Sequence, residues 1–554
     1  MNLKLPQRTS VPRHHVPISL NYHKMAYADR CATQIKGWLN TCSNTHSQDC
    51  NGLGSSILPK RLIFFNDNPS TEHLVTVDEL KERPQYVALS YCWGREQNFK
   101  TEAHNLREME QCIPYDQLPK TLRDVFLMVR KLGFRYLWID ALCILQDPTG
   151  DEWRTEAGKM GDAYANASLV ISATASPSVH YGLFADMRED YTDEQKTEFH
   201  RIMRTCRTMT QSEWHGPIKD THPLLCRAWA FQERLLARRT VHFTNMELIW
   251  ECMGDRWCEC SDESLTGGLT GKINNLNCAL RECRVDPDPA KARLMWRECV
   301  KSFSKRDLTM LNDRLFAIAG IASYIRGADP TAYHNQYHYG LWKDFLPWDL
   351  LWYCDQTSSL REAKSRGPSY SWSSVDCGVE WPTCDHLGSD VKFSQAISTG
   401  TCIEFKPEDH ASEQEGRLCK VAAVETCGVT ITSRIARVLI SGSHIQPMQG
   451  QSWTVKSAKG ENEQTLPFYP DIVLSGSNDR QEIETYYYIE IAGIKVHSSV
   501  REMGLIVRKY RLHGSDCDMP VYERVGIAGD ISCSAKGSKQ SWFTGGEVQK
   551  IILV

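Results

Sequence analysis

Three short apolar runs, separated by segments of helix length, constrain this chain more than any other feature of it. Tyr86-Val87-Ala88-Leu89-Ser90-Tyr91 is the first run, and it is closed by Trp93-Gly94. The segment LPKTLRDVFLMVRKLG follows, with Leu122, Val125, Phe126 and Val129 at helical spacing, Pro119 near its start and Gly133 placed as a C-cap. Tyr136-Leu137-Trp138-Ile139 is the second run and ends at Asp140. Trp153, Ala157, Met160 and Tyr164 then fall on one stripe of a second helix, and Leu169-Val170-Ile171 is the third run. Strands that lack apolar/polar alternation are buried on both faces, so this series predicts a parallel sheet covered on both sides by helices. The motifs SYCWG (90–94) and IDALCILQD (139–147) then lie at the carboxyl ends of strands, the edge at which open α/β sheets bind ligands.

The flanking chain divides by pattern. Residues 1–20 read as a poorly ordered arm and about 24–42 as a helix, giving an N-terminal unit over 1–50. Leu62–Phe65 suits a strand, and the α/β core is placed at 51–260. Within it, 174–225 lacks periodicity, 227–237 reads as a short helix, and Thr240–Phe243 and Leu248–Cys252 as strands. A helical extension over 261–380 carries the apolar groupings Leu294 to Phe303, Leu315–Ile321 and Leu341–Trp352. From 381 to 554 the runs VAAVET, VTIT, ARVLISG, YYYIEIAGI and GLIVRKYRL recur between Gly/Ser turns, which predicts a mostly β C-terminal region.

Length and composition set outer bounds. A chain of 554 residues with 41% hydrophobic and 24% charged residues can bury several cores. Its 64 basic and 68 acidic residues nearly balance, so no electrostatic case exists for nucleic acid. No run of about 18 apolar residues is present, so no membrane-spanning segment is expected. The opening twenty residues have no apolar h-region, and the expectation is a cytoplasmic protein whose 22 cysteines are mostly free thiols.

Three blocks stand in order along the chain: YVALSYCWG (86–94); LPKTLRDVFLMVRKLGFRYLWIDALCILQD (118–147) with EWRTEAGKMGDAYANASLVISA (152–173); and RAWAFQERLLARRTVHFTNMELIWEC (227–252). Together they resemble the signature blocks of the fungal heterokaryon-incompatibility (HET) domain, with DRLFAIAGIA, YGLWKDFLPWDLLW and PSYSWSSVD as its usual flanks. The resemblance implies a part in self/non-self recognition and programmed cell death when unlike hyphae fuse. Its partner would be a protein of an incompatibility system or another copy of the chain. HET domains are distantly similar to TIR domains, some of which cleave NAD. That second resemblance implies a TIR-like core, NAD as a substrate and no further cofactor. YVALSY resembles the first TIR strand, and Trp229-Ala-Phe-Gln-Glu233 has the Trp-x-x-x-Glu spacing of the segment that carries the TIR catalytic glutamate.

Trp229, Glu233 and Leu236 share one helical face, which sets a carboxylate on an apolar stripe. Burial would raise its pKa and suit Glu233 to stabilise an oxocarbenium-like ribosyl cation or to act as a base. The structural alternative is an ion pair with Arg227, Arg234 or Arg238. Asp140, Cys143, Gln146 and Asp147 follow the second strand. They either line the ligand edge, with Asp140 or Asp147 on ribose hydroxyls, or cap and pack the next turn. Ser90, Tyr91, Trp93 and Gly94 form a strand-to-loop turn in which Gly94 permits tight geometry and Trp93 either stacks on a flat ligand or plugs the core. Arg227, Trp229 and Gln232 complete the ligand-binding candidates. Cysteine catalysis by Cys143 would need a histidine base, and His242 is the only one in the blocks.

Cys42, His46 and Cys50 are spaced i, i+4, i+8, and Cys252, Cys258 and Cys260 form a second cluster. Neither contains a paired CxxC or a clear fourth ligand, so both read as structural thiols and no metal is assigned. No G-x-x-x-x-G-K-[ST] phosphate loop occurs. Three functional classes stay open: a TIR-like NAD-cleaving hydrolase acting as death effector, a non-catalytic interaction module, and an enzyme of fungal secondary metabolism.

Overall fold

The computed structural model describes residues 18–51, 57–68, 71–95, 99–147, 151–184, 221–259, 280, 288–327, 337–346, 348–354 and 368–382. It further describes the C-terminal strands between 396 and 554 with a few adjoining residues. The arm before Ile18, residues 185–220 and the run VAAVET lie outside the described residues.

Each predicted apolar run is a buried strand. β3 (Tyr86–Ser90) and β5 (Leu169–Ser172) are buried along their whole length, and β4 (Tyr136–Trp138) has Leu137 and Trp138 inside. Continuous apolar sequence is what strands covered on both faces require. β4, β3, β5 and β6 (Arg239–Phe243) run parallel in that order. β1 (Arg61–Phe64) and β2 (His73–Thr76) add antiparallel strands beyond β4. β7 (Leu248–Cys252) and β8 (Arg256–Cys258) do so beyond β6, so the eight-stranded sheet is parallel only at its centre. After β4 the chain returns to the other side of β3 to form β5. The connection therefore reverses direction at β3/β5, and the carboxyl ends of these two strands flank the switch point.

α1 (Ile18–Thr45), α2 (Ser47–Cys50), α3 (Leu106–Gln111) and α4 (Lys120–Leu132) belong to this layer. α4 buries Leu122, Val125, Phe126 and Val129 as their spacing predicts. Gly133 ends it in the left-handed region at φ 86°, donating to the Val129 and Arg130 carbonyls. α5 (Asp140–Cys143) is a single turn after β4. The single helix expected around Trp153 to Tyr164 is instead two, α6 (Asp151–Gly158) and α7 (Met160–Asn166), parted at Lys159 with ψ 0°. The apolar stripe continues across the break because both halves pack against the same neighbours, so side-chain periodicity carries no trace of it. α1 packs its Ala28, Cys31, Ile35 and Trp38 into the same core as the sheet.

α8 (Ala228–Leu236) joins two cores. Phe231, Leu235 and Leu236 pack with α9 (Pro289–Ser304) and α10 (Phe316–Arg326), while Trp229 lies against both clusters. The helical pattern expected over Leu341–Trp352 is not a helix. The chain there makes a strand pair, β9 (Tyr337–His338) with β10 (Leu341–Trp342), and 3-10 turns at Lys343–Phe345 and Trp348–Leu351. Trp342, Leu350, Leu351 and Trp352 are nevertheless all buried. Short 3-10 turns present an i/i+3 pattern that resembles an α-helix in sequence. A second small pair joins β11 (Tyr353–Cys354) to β12 (Val379–Glu380).

The C-terminal region is β, as its runs predict. Its strands are β13 (Ala396–Ile397), β14 (Cys402–Phe405), β15 (Val429–Ser441), β16 (Trp453–Ser457), β17 (Thr465–Pro470), β18 (Tyr486–Val496), β19 (Ser499–Lys509), β20 (Val521–Gly529) and β21 (Glu547–Leu553). VTIT and ARVLISG belong to one strand, β15. The pairings β15–β16, β16–β17, β17–β20, β20–β19, β19–β18 and β18–β15 return to their starting point and close a six-stranded barrel. Its interior receives Val438, Val455, Phe468, Tyr488, Ile506 and Val525, one from each strand. Closure removes exposed strand edges. One outer side, through Ile435, Ile489, Leu505, Val507 and Ile527, joins the core of α9 and α10.

Candidate functional site

The carboxyl edge of the parallel strands gathers most of the predicted site. Ser90 ends β3, and its hydroxyl donates to Glu233 Oε2 from α8, 143 positions later in the chain. Glu233 is buried at 5% exposure, and the Tyr164 hydroxyl from α7 is a second hydrogen-bonding neighbour of its carboxyl. Tyr164 also donates to the Leu89 carbonyl at 3.0 Å. Burial, and to a lesser degree the nearby Asp140, raise the Glu233 pKa from 4.5 to about 7, while Ser90, Arg227 and Tyr164 oppose the rise. A carboxyl poised there exchanges its proton readily near neutral pH.

Asp140, half-buried after β4, accepts from the Trp93 indole nitrogen at 2.9 Å and from the Ala141 amide at 2.6 Å. Burial raises its pKa too, against the donors and Arg227. Trp93 is thereby turned toward the edge and remains half-buried, and Gly94 beside it adopts φ +80°, the left-handed turn expected of it. Arg227, immediately before α8, donates to the Tyr91 carbonyl at 2.8 Å. Burial disfavours its charge, but Cys92, Glu233 and Asp140 around it more than offset this and hold its pKa above the usual value. Two acids and one guanidinium thus share a site that opens to solvent at Trp93, Asp140 and Arg227. The start of α8 is fixed where Ala228 N donates to the Asp307 carbonyl at 2.8 Å and Asp307 N to the Cys226 carbonyl at 2.7 Å.

Of the three structural partners expected for Glu233, Arg227 stays beside it and opposes the rise of its pKa, whereas the other two are engaged elsewhere. Arg234 pairs with Glu251 at 2.7 Å, and Arg238 donates to the Asn166 carbonyl at 3.0 Å. Glu251 is buried on β7 among Arg234, Arg256 and His242. Its burial alone would raise its pKa, but these groups hold it well below the usual range. His242 lies between Thr174 at 2.9 Å and Glu251 at 3.1 Å, and burial lowers its pKa, so it is a satisfied core histidine.

Several predicted site residues hold further contacts within the fold. Cys143 is buried under β4, with its sulfur 3.4 Å from the Ile139 amide, and burial pushes its thiol to about 12. Gln232 faces away from Glu233 and accepts from the Gly320 amide of α10 at 2.7 Å. Gln146 braces its loop by donating to the Asp140 and Ile144 carbonyls at 3.1 and 3.0 Å. Asp147 is half-buried in the same loop. The Trp229 indole hydrogen-bonds Asp313 and so stands at the side of the cluster. Tyr164 and Cys92 are the site residues that sequence reasoning missed. A buried tyrosine on an apolar stripe must find a partner for its hydroxyl, which was the available signal for Tyr164.

Cys42, His46 and Cys50 do lie together, and the structure adds Cys252 from the end of β7 rather than grouping it with Cys258. Cys260 lies outside the described residues. Among the described residues the cysteines are free thiols, and no helix is long and apolar enough to cross a membrane.

No curated protein and no solved structure matches this chain. Residues 86–233, from the first residue of β3 to Glu233 itself, match the family described as heterokaryon incompatibility protein (HET), and the chain carries a domain of that family.

Proposed function

We propose that this incompatibility-type protein is a cell-death effector whose HET domain hydrolyses the nicotinamide–ribose bond of NAD at the β3/β5 switch point. The observation that carries the reading is Glu233: a buried carboxyl with its pKa raised to about 7, at the ligand-binding edge of a parallel sheet, hydrogen-bonded to Ser90. Trp93 offers a face for the nicotinamide ring, and Asp140 an acceptor for ribose hydroxyls. As the glycosidic bond breaks, its electron pair leaves with neutral nicotinamide and positive charge develops on the ribosyl carbon. The Glu233 carboxylate stabilises that charge, then takes the proton of the attacking water, leaving ADP-ribose. Arg227 balances the second carboxylate of the site and fixes the turn after β3.

Because α8 carries Glu233 on one side and Phe231 and Leu235 on the other, the β-rich region is coupled by packing to the helix that bears the catalytic candidate. We place recognition of the protein partner in the 381–554 region on that basis. The test is incubation of the full chain with NAD and chromatographic detection of nicotinamide and ADP-ribose, beside Glu233→Gln. Turnover in the wild type that vanishes in the variant supports the hydrolase. A folded wild type without turnover, or an equally active variant, refutes it and leaves the interaction module as the reading.

A further inference from the structure

We propose that Cys42, His46, Cys50 and Cys252 bind a zinc ion that clamps the N-terminal helix to the far edge of the HET sheet. Their ligand atoms all lie within 4.8 Å of one another. A tetrahedral zinc with usual bond lengths sets sulfur–sulfur separations of about 3.8 Å and sulfur–nitrogen separations of about 3.6 Å. Cys252 Sγ and His46 Nδ1 are 3.5 Å apart. Three thiolates and one imidazole are a common donor set for structural zinc, and four protein ligands leave no open position for catalysis.

The local backbone is shaped to present these atoms. α1 ends at Thr45 and α2 begins at Ser47, but the helical ladder continues across His46: its amide donates to the Cys42 carbonyl at 2.9 Å, and the Cys50 amide donates to the His46 carbonyl at 2.8 Å. Positions i, i+4 and i+8 therefore share one face. The fourth ligand enters from the β7–β8 turn, where the Cys252 amide donates to the Asp255 carbonyl at 2.9 Å. Gly254 in that turn lies so near His46 that a Cβ there would be 2.6 Å from the imidazole Cγ. Trp257 stacks on the His46 ring with centroids 5.7 Å apart, which restricts its orientation.

The surroundings suit a thiolate-bound cation rather than packed neutral thiols. The Asp255 amide points at Cys252 Sγ from 3.3 Å, and the Arg239 guanidinium at Cys42 Sγ from 3.2 Å. N–H groups aimed at sulfur, and one buried cation beside a site of net charge −1, are the outer-shell features that metal thiolates use. Cys42, Cys50 and Cys252 are all buried. The sequence separation explains the purpose: the cluster ties residues 42–50 to residue 252, on opposite sides of the whole sheet domain in chain order.

The experiment is metal analysis of the full chain, purified without chelator from zinc-supplemented culture, together with cobalt substitution. The expected result is one zinc per chain, and on replacement by cobalt the intense visible d–d bands and sulfur-to-metal charge-transfer band of a tetrahedral thiolate site. Cys252→Ser should lose the zinc, and Cys258→Ser, one strand away, should keep it. Since Cys252→Ser could fail to fold, release of zinc from the wild type by a thiol-specific mercurial, followed with a chromogenic chelator, reads the same point without a variant. A wild-type protein that is folded by circular dichroism yet binds neither zinc nor cobalt overturns the proposal, as does retention of zinc by folded Cys252→Ser.

Discussion

Glu233→Gln separates a strained functional carboxyl from an ordinary structural one. The pKa of Glu233 stands at about 7 in the fold against 4.5 for a free side chain. One unit is about 1.4 kcal/mol, so ionising Glu233 costs the folded protein about 3 kcal/mol relative to the unfolded chain. The folded-state pKa is the higher one, so the folded protein holds this proton more tightly. That stabilisation is complete below the free value of 4.5 and is lost as pH rises to about 7. Glutamine cannot ionise, keeps the shape of the protonated acid and still hydrogen-bonds Ser90. Glu233→Gln should match the wild type near the acid end of this window and exceed it by about 3 kcal/mol at about pH 8. Urea unfolding followed by tryptophan fluorescence across that pH range measures the difference. A gap that does not change with pH, or a variant less stable than wild type at the alkaline end, would refute the reasoning. The same variant should lose NAD turnover, so that activity and stability move in opposite directions.

Ser90→Ala removes the donor that opposes the rise in the Glu233 pKa, so the stability loss should shift to higher pH, read from the midpoint of the same urea series. Cys143→Ala should leave NAD turnover unchanged in a kinetic assay and cost about 1 kcal/mol of stability through a small cavity. Asp471→Asn should be severe: Arg524 and Asp471 are both fully buried and 2.6 Å apart, and Arg524 also donates to the Leu350 and Trp352 carbonyls. Leaving that guanidinium unpaired costs about 3–5 kcal/mol, and limited proteolysis should then cut between the helical extension and the barrel. Glu251→Gln strands Arg234 and Arg256 in the same way, and its thermal unfolding should fall by several degrees without changing the pH response that belongs to Glu233.

The sequence by itself determined most of the elements of the central sheet and its covering helices. β3, β4 and β5 were legible because strands buried on two faces are written as unbroken apolar runs, and α4 because a helix with one buried face repeats every three to four residues. The clustering of Ser90, Trp93, Asp140, Arg227 and Glu233 followed in outline, since the carboxyl ends of parallel strands meet at one edge. What only the tertiary structure decided is which side chain meets which. Glu233 faces Ser90 while its neighbours Gln232 and Arg234 serve Gly320 and Glu251, a difference of about 100° per residue around α8 that no spacing rule assigns to partners. The barrel closes through the pairing of β15 with β18, a long-range contact between two strands that each read alone as ordinary. Cys252 joins Cys42, His46 and Cys50 across two hundred positions of chain for the same reason: periodicity records a residue's own element, whereas a site is made where separate elements pack, and packing is settled by the whole fold at once.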